Sequence, residues 1–233
     1  MDKRVELIIK ELDCLEDEGK VLDVLRYYDY IDNEEDESYK ISDLLSSSDS
    51  CVLTRFANNI NIDRIGCISI ANGVQTISFI FEDIVYKVTA CDLNCINHFI
   101  DFCNERYEKE DSKIKLEGIN PSSLICPVKL IYSTQDGVYI YSQETVKTGV
   151  TYCNSLRLPI GTNTGVFPPK LANCLYSFYK SKKVIEDLAE IFQKYFTDFI
   201  NECDNDIVDD IHNGNWGFNK EIQPIIFDPF FFC

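Results

Sequence analysis

Apolar positions along this chain follow two rhythms, and the switch between them predicts its elements. Val5, Ile8, Ile9, Leu12 and Leu15 recur at steps of three and four; Gly19 interrupts, then Val21, Leu22, Leu25 and Tyr28 resume, which predicts two helices over 4–30. The acidic stretch "DNEEDES" (32–38) reads as a solvated loop, "ISDLL" (41–45) as a short helix and the Ser-rich 46–50 as a turn. From 66 the period becomes two, in "GCISIANGV", "QTISFIFE" and "IVYKVTA", with Asn72-Gly73 and Glu82-Asp83 at the turns. Residues 92–110 return to a helical period, placing Leu93, Ile96, Phe99, Ile100 and Cys103 on one face. A second hairpin follows, "ICPVKLIYST" and "VYIYSQE" around Gln135-Asp136-Gly137. The segment 147–169, with four Thr, three Gly and three Pro, reads as a long loop, and 170–203 as mostly helix.

This order predicts an α+β chain: helices, then a five-stranded antiparallel sheet with one inserted helix, then a minimal helical lobe. It is the order of a bilobal, protein-kinase-like fold. The boundaries expected are an N-terminal helical segment at 1–64, a sheet-bearing lobe at 65–146 and a C-terminal lobe at 147–233.

The candidate chemistry lies near the end, in "DDIHNGNWGFNKEIQPIIFDP" (209–229). Asp210 is followed five positions later by Asn215 and thirteen positions after that by Asp228, which the apolar run Ile225-Ile226-Phe227 should deliver on a strand. Phosphoryl transfer needs a carboxylate to orient or deprotonate the acceptor hydroxyl, and an amide oxygen with a second carboxylate to hold Mg²⁺ on the phosphates. The spacing D-x-x-x-x-N, with a later Asp on a following hairpin, supplies these groups in that order. Lys87, in "DIVYKVTA", sits on the third expected strand, where a lysine is either an edge charge or a contact for the α- and β-phosphates. A phosphate-covering loop should carry several glycines, and "IGCISIANGVQTISF" (65–79) offers only Gly66 and Gly73. Asp92, Asp101 and Glu105 compete as the acid that pairs with Lys87. The backbone of Glu144 to Val146, after the fifth strand, falls where adenine contacts are expected. Trp216 reads as a packing anchor for its loop.

Charge and cysteines narrow the partners. A net charge of −17 repels nucleic acid and argues against direct DNA or RNA binding, while leaving room for a DNA mimic that occupies a basic protein. The eleven cysteines contain no C-x-x-C and the two histidines stand at 98 and 212, so the pattern fits reduced thiols in a cytoplasmic protein better than a zinc or disulfide framework. No apolar run approaches ~18 residues and the charged N-terminus has no signal-like core, so no membrane association is expected.

"VYKV" around Lys87, "HFIDFC" (98–103), "DIHNGN" (210–215) and "IIFDP" (225–229) together resemble the early serine/threonine protein kinases encoded by short-tailed lytic phages. The likeness covers most of 66–230 in order of elements. It implies an ATP- and Mg²⁺-dependent kinase acting on host proteins during infection, to reprogramme transcription or counter a defence. Lys87, Asp210, Asn215 and Asp228 match that family's functional positions, and the resemblance implies that little chain is needed after the last Asp-Pro. The acidic surface predicts host targets with basic segments. Two other readings remain: a small-molecule phosphotransferase, and a kinase-shaped acidic protein that blocks a basic host factor without catalysis.

Overall fold

The computed structural model describes residues 2–31, 39–47, 49–109, 118–148, 157–203, 207–212 and 214–232. The acidic stretch at 32–38, Ser48 of the Ser-rich turn, Asn213 and 149–156 of the expected loop lie outside the described residues. The chain is α+β, with eight α-helices and a five-stranded antiparallel sheet among the described residues. It divides into two compact units: Met1–Leu93 with Val128–Thr145, and Asn94–Pro127 with Val146–Cys233.

In the first unit, Asp2 caps α1 (Lys3–Asp17) by accepting the Arg4 N–H at 2.8 Å, and Val5, Ile8, Leu12 and Leu15 form its buried stripe. Gly19 takes φ +72, a left-handed conformation that costs a glycine little, and this lets α2 (Lys20–Tyr27) fold back against α1. α3 (Ile41–Ser46), α4 (Ser50–Ala57) and α5 (Ile62–Ile65) follow. The sequence reading left α4 and α5 unassigned. Each is capped by a side chain, Asp49 accepting from Cys51 N and Asn61 from Asp63 N and Arg64 N, which satisfies N–H groups that a short helix cannot bond internally.

The sheet runs β1 (Ser69–Asn72), β2 (Thr76–Ile80), β3 (Ile84–Thr89), β5 (Tyr139–Glu144), β4 (Val128–Ser133) in spatial order. Alternation sends Ile77 and Phe79 of β2, Tyr86 and Val88 of β3 and Ile140 of β5 into one core with Val5, Ile8, Leu44, Val52, Leu53 and Phe56 of the helices. Fully burying side chains of this size contributes about 1.5–3 kcal/mol each. The helices α1–α5 therefore share a core with the sheet instead of standing as a segment bounded at residue 64.

In the second unit, α6 (Asn94–Lys109), a short 3₁₀ helix (Pro121–Leu124), α7 (Pro169–Tyr179) and α8 (Lys182–Glu202) precede two small ribbons. The sequence reading inserts α6 into the sheet-bearing lobe; by contacts it groups with this unit instead. The reason is its apolar face: Phe99 meets Phe192, Phe196 and Phe199 of α8 at ring-centroid distances of 5.7, 5.2 and 5.1 Å. Lys180, at φ +55, ends α7, and the Ser181 hydroxyl caps α8 by accepting Val184 N–H. The two ribbons are β6 (Ile207–Asp209) with β9 (Phe230–Phe232), and β7 (Trp216–Phe218) with β8 (Pro224–Ile226), both antiparallel.

No disulfide joins the nine described cysteines; Cys95 and Cys103 lie buried on α6, and burial pushes the Cys103 thiol well above its ordinary range. No helix among the described residues is long and apolar enough to cross a membrane.

Candidate functional site

Asp228 is held from both sides. One residue before it, Phe227 donates its N–H to the Asn215 carbonyl at 3.0 Å; one residue after it, the Pro229 carbonyl accepts the Asp210 N–H at 2.9 Å. The two ribbons produce this arrangement. β6 and β9 pair Asp209 with Phe230, so Asp210 leaves the ribbon beside Pro229, and β7 and β8 pair Trp216 with Ile226, so Asn215 enters beside Phe227. Three residues spread over 19 positions of sequence thus meet through backbone alone. Phe230 anchors the end of this segment, stacked on Phe196 at 5.2 Å and edge-on to Phe99 at 5.5 Å.

The side chains add a second layer. The Asn215 amide nitrogen donates to both the Asp210 carbonyl, at 2.8 Å, and the Asp210 carboxylate, at 2.9 Å. With its nitrogen so fixed, the amide presents its oxygen on the other side. Between these residues the loop is tightened by His212, whose Nδ1 accepts the Gly214 N–H at 2.9 Å and whose Nε2 lies 3.7 Å from Asp210 Oδ1. A Cβ on Gly214 would sit 2.7 Å from the His212 ring, so a larger residue there would displace that ring. Asp210, Asn215 and Asp228 are all half-buried, open enough to meet a ligand.

Lys87 belongs to the first unit. It is 4 % exposed on the middle strand of the sheet, opposite Ser78 on β2 and Tyr141 on β5. Its neighbours Tyr86 and Val88 point into the helical core, so Lys87 emerges on the other sheet face, with Thr89. A central position rules out the edge-charge reading for this lysine. Of the three candidate acids, Asp101 and Glu105 lie exposed on α6, with Glu105 paired to Lys109 at 3.2 Å. Asp92 instead accepts the hydroxyl of Tyr141, the cross-strand neighbour of Lys87, at 2.6 Å; burial first, and this bond second, push the Tyr141 phenol well above its usual range.

The glycines of the expected phosphate turn have separate settings. Gly66, at φ +74, is the C-cap of α5 and donates to Ile62 O at 2.8 Å, a structural task that accounts for it. Gly73 lies exposed in the β1–β2 turn and donates to Thr76 O at 2.9 Å. Asn72 beside it is pinned to α4, its amide donating to Thr54 Oγ1 at 2.9 Å and Ser50 O at 3.3 Å.

The segment expected to meet adenine coincides with the divide between the units, which falls between Thr145 and Val146. Glu144 ends β5 opposite Ile84 with its side chain exposed. Lys147 exchanges two backbone hydrogen bonds with Phe218, at 2.9 and 3.0 Å. Gly217, which sequence reasoning passed over, permits this approach: a Cβ there would lie 2.5 Å from Val146 Cγ1 and 2.6 Å from the Lys147 carbonyl oxygen. The signal was available in the "GNWG" of 214–217, two glycines flanking an anchor.

Asn215 and Asp228 offer an amide oxygen and a carboxylate, the hard donors that suit Mg²⁺. Among the described residues no cluster of three or more His, Cys, Asp or Glu side chains gathers to hold a metal. Mg²⁺ asks for less, since one or two carboxylates suffice when phosphates and water complete its octahedron. The donor set therefore fits Mg²⁺ carried with a nucleotide and does not resemble a site for zinc. Comparison with protein-family models, with curated proteins and with solved structures gives no match.

Proposed function

We propose that this chain is an ATP- and Mg²⁺-dependent protein kinase of minimal, protein-kinase-like architecture. The observation that carries the reading is the bracketing of Asp228 by the Asp210 and Asn215 backbones, with the Asn215 amide turned onto the Asp210 carboxylate. In this reading Asp210 orients the acceptor hydroxyl of a serine or threonine and takes its proton. Asn215 and Asp228 hold Mg²⁺, which when bound neutralises charge on the transferring phosphate. Lys87 contacts the α- and β-phosphates, the β1–β2 turn at Gly73 covers them, and the Glu144–Val146 backbone meets adenine. The position of Lys87 on a central strand, on the sheet face turned away from the helical core, supports its part. The targets are host proteins with basic segments, met in the host cytoplasm during phage infection.

The test is transfer of labelled γ-phosphate from Mg·ATP into a bacterial lysate, with Asp210→Ala as the control. Loss of a positioned base typically costs about 10²–10⁴-fold in rate. Transfer of equal strength by the Asp210→Ala protein would reject the assignment.

The net charge of −17 favours a second reading, an acidic protein that blocks a basic host factor. The two separate on heating: Mg·ATP raises the melting temperature of a nucleotide-binding protein by mass action and leaves a pure blocker unmoved.

A further inference from the structure

A cavity of about 100 Å³ lies in the first unit between α1, α3 and the β4–β5 hairpin. Leu12, Val138 and Ile140 give it an apolar floor, and Asp13, Glu16 and Asp136 give it an acidic rim. Helical spacing produces this combination, since Ile9, Leu12, Asp13 and Glu16 fall on one face of α1 at steps of three and four.

The rim charges are not equivalent. Asp136 is paired with Lys40 at 2.6 Å, and Glu16 is occupied by the Ile41 N–H at 3.1 Å. Asp13, exposed at the rim, has neither hydrogen bond nor ion pair among the described residues, and desolvation, then Asp17, raise its pKa above the ordinary carboxylate value. The rim thus holds three carboxylates against one ammonium.

We propose that this cavity docks a lysine or arginine side chain carried on a basic protein segment. Such a side chain has an apolar stem for the floor and a cationic head for the rim. The volume accommodates the end of one such chain. The −17 charge of the whole protein would draw basic segments toward it. Lys40 is the internal competitor, an ammonium already seated at one side of the rim.

The proposal does not rest on phosphoryl transfer, because it is scored by binding alone. The probe is a fluorescein-labelled peptide bearing several arginines, titrated by anisotropy against the full chain at physiological salt. A companion peptide replaces each arginine with 2,4-diaminobutyrate, keeping a cationic head on a shorter stem. Asp13→Asn is expected to weaken binding of the arginine peptide about threefold, the scale of a single partly exposed ion pair. Lys40→Gln is expected to tighten it by a similar factor. Glu221→Gln and Lys170→Gln, which change charge equally at exposed sites in the second unit, should change it by less than about 1.5-fold. Ser42→Phe, which fills the cavity without altering charge, should weaken binding as Asp13→Asn does. Equal effects of Asp13→Asn and Glu221→Gln, or equal binding of the two peptides, would show diffuse attraction to an acidic surface and overturn the pocket. Absence of binding would overturn it as well.

Discussion

Asn215 donates its side-chain amide to the Asp210 carboxylate at 2.9 Å and to the same residue's carbonyl at 2.8 Å. This orients two residues at once. The carboxylate is steered by the amide, and the amide oxygen is turned toward whatever cation the loop receives.

Asn215→Asp separates these roles. The carboxylate retains a metal donor but replaces the N–H with an acceptor that faces Asp210. Losing a hydrogen bond to a charged group costs about 1.5–3 kcal/mol, and two carboxylates at that distance repel as well. Phosphoryl transfer by Asn215→Asp is expected to fall at least as far as in Asn215→Ala. Steady-state rates over a Mg²⁺ titration check it; an Asp variant that stays active at high Mg²⁺ would remove the Asp210 bond from the argument.

Two glycines in this region predict different outcomes. Gly217→Ala drives a Cβ to 2.5 Å from Val146 Cγ1 and 2.6 Å from the Lys147 carbonyl, which is backbone fixed by two hydrogen bonds to Phe218. It is expected to destabilise the protein by about 1–3 kcal/mol, as overpacking does. Gly214→Ala meets only the exposed His212 ring, at 2.7 Å, and that ring can swing away. Gly214→Ala is therefore expected to be milder, and His212→Ala to relieve it in the double variant. Thermal melts of the four proteins check both statements.

How much of this was legible beforehand follows the physics of each element. The five sheet strands and the long helices declare themselves through period, because each buries one face continuously. α4 does carry apolar positions at helical spacing (Val52, Leu53, Phe56) and an Asp49 cap, but eight residues give little pattern to weigh. The β6–β9 pairing was not legible, since Ile207–Asp209 and Phe230–Phe232 are brought together by a non-local ladder and by Phe230 stacking on α6 and α8. The spacing of Asp210, Asn215 and Asp228 was legible; the backbone bonds that seat them were not. Gly66 shows the reverse case. A glycine before a strand invites a phosphate-turn reading, yet its positive φ caps α5.

Lys87→Met tests whether the buried lysine serves chemistry or the fold. Methionine matches its length but gives up the interaction of the ammonium, so the variant is expected to stay folded at a cost of about 1–3 kcal/mol. Phosphoryl transfer should nevertheless fall about 100-fold or more, with weaker Mg·ATP stabilisation on heating. Denaturant unfolding and transfer rates, measured on the same preparation, check it. A loss of stability with transfer intact in the folded fraction would assign Lys87 a structural role.

The last prediction concerns pH and the tie between α1 and the sheet. The buried Tyr86 hydroxyl on β3 donates to Asp2 Oδ2 at 2.6 Å, while Asp2 Oδ1 caps α1. The Tyr86 bond, followed by the Arg4 N–H, lowers the Asp2 pKa below its ordinary value of 3.8. A carboxylate lowered on folding contributes stability that is present above its unfolded pKa and lost as pH falls through the folded one. The tie should therefore hold at neutral pH and weaken only below about pH 4. Tyr86 itself is pushed up to about 12, by burial first and then by Asp2, from an ordinary value of 10.0. A phenol raised on folding stabilises below its unfolded pKa and loses that contribution as pH rises from about 10 to about 12. Tyr86→Phe removes the alkaline dependence and the larger part of the acid one, leaving the Arg4 N–H bond to Asp2. The variant should be less stable than the parent near neutrality, approach it below pH 4, and be spared the alkaline loss. Urea unfolding midpoints across that range check the pattern, and parallel pH profiles for the two proteins would show that the Asp2–Tyr86 contact contributes nothing to folding.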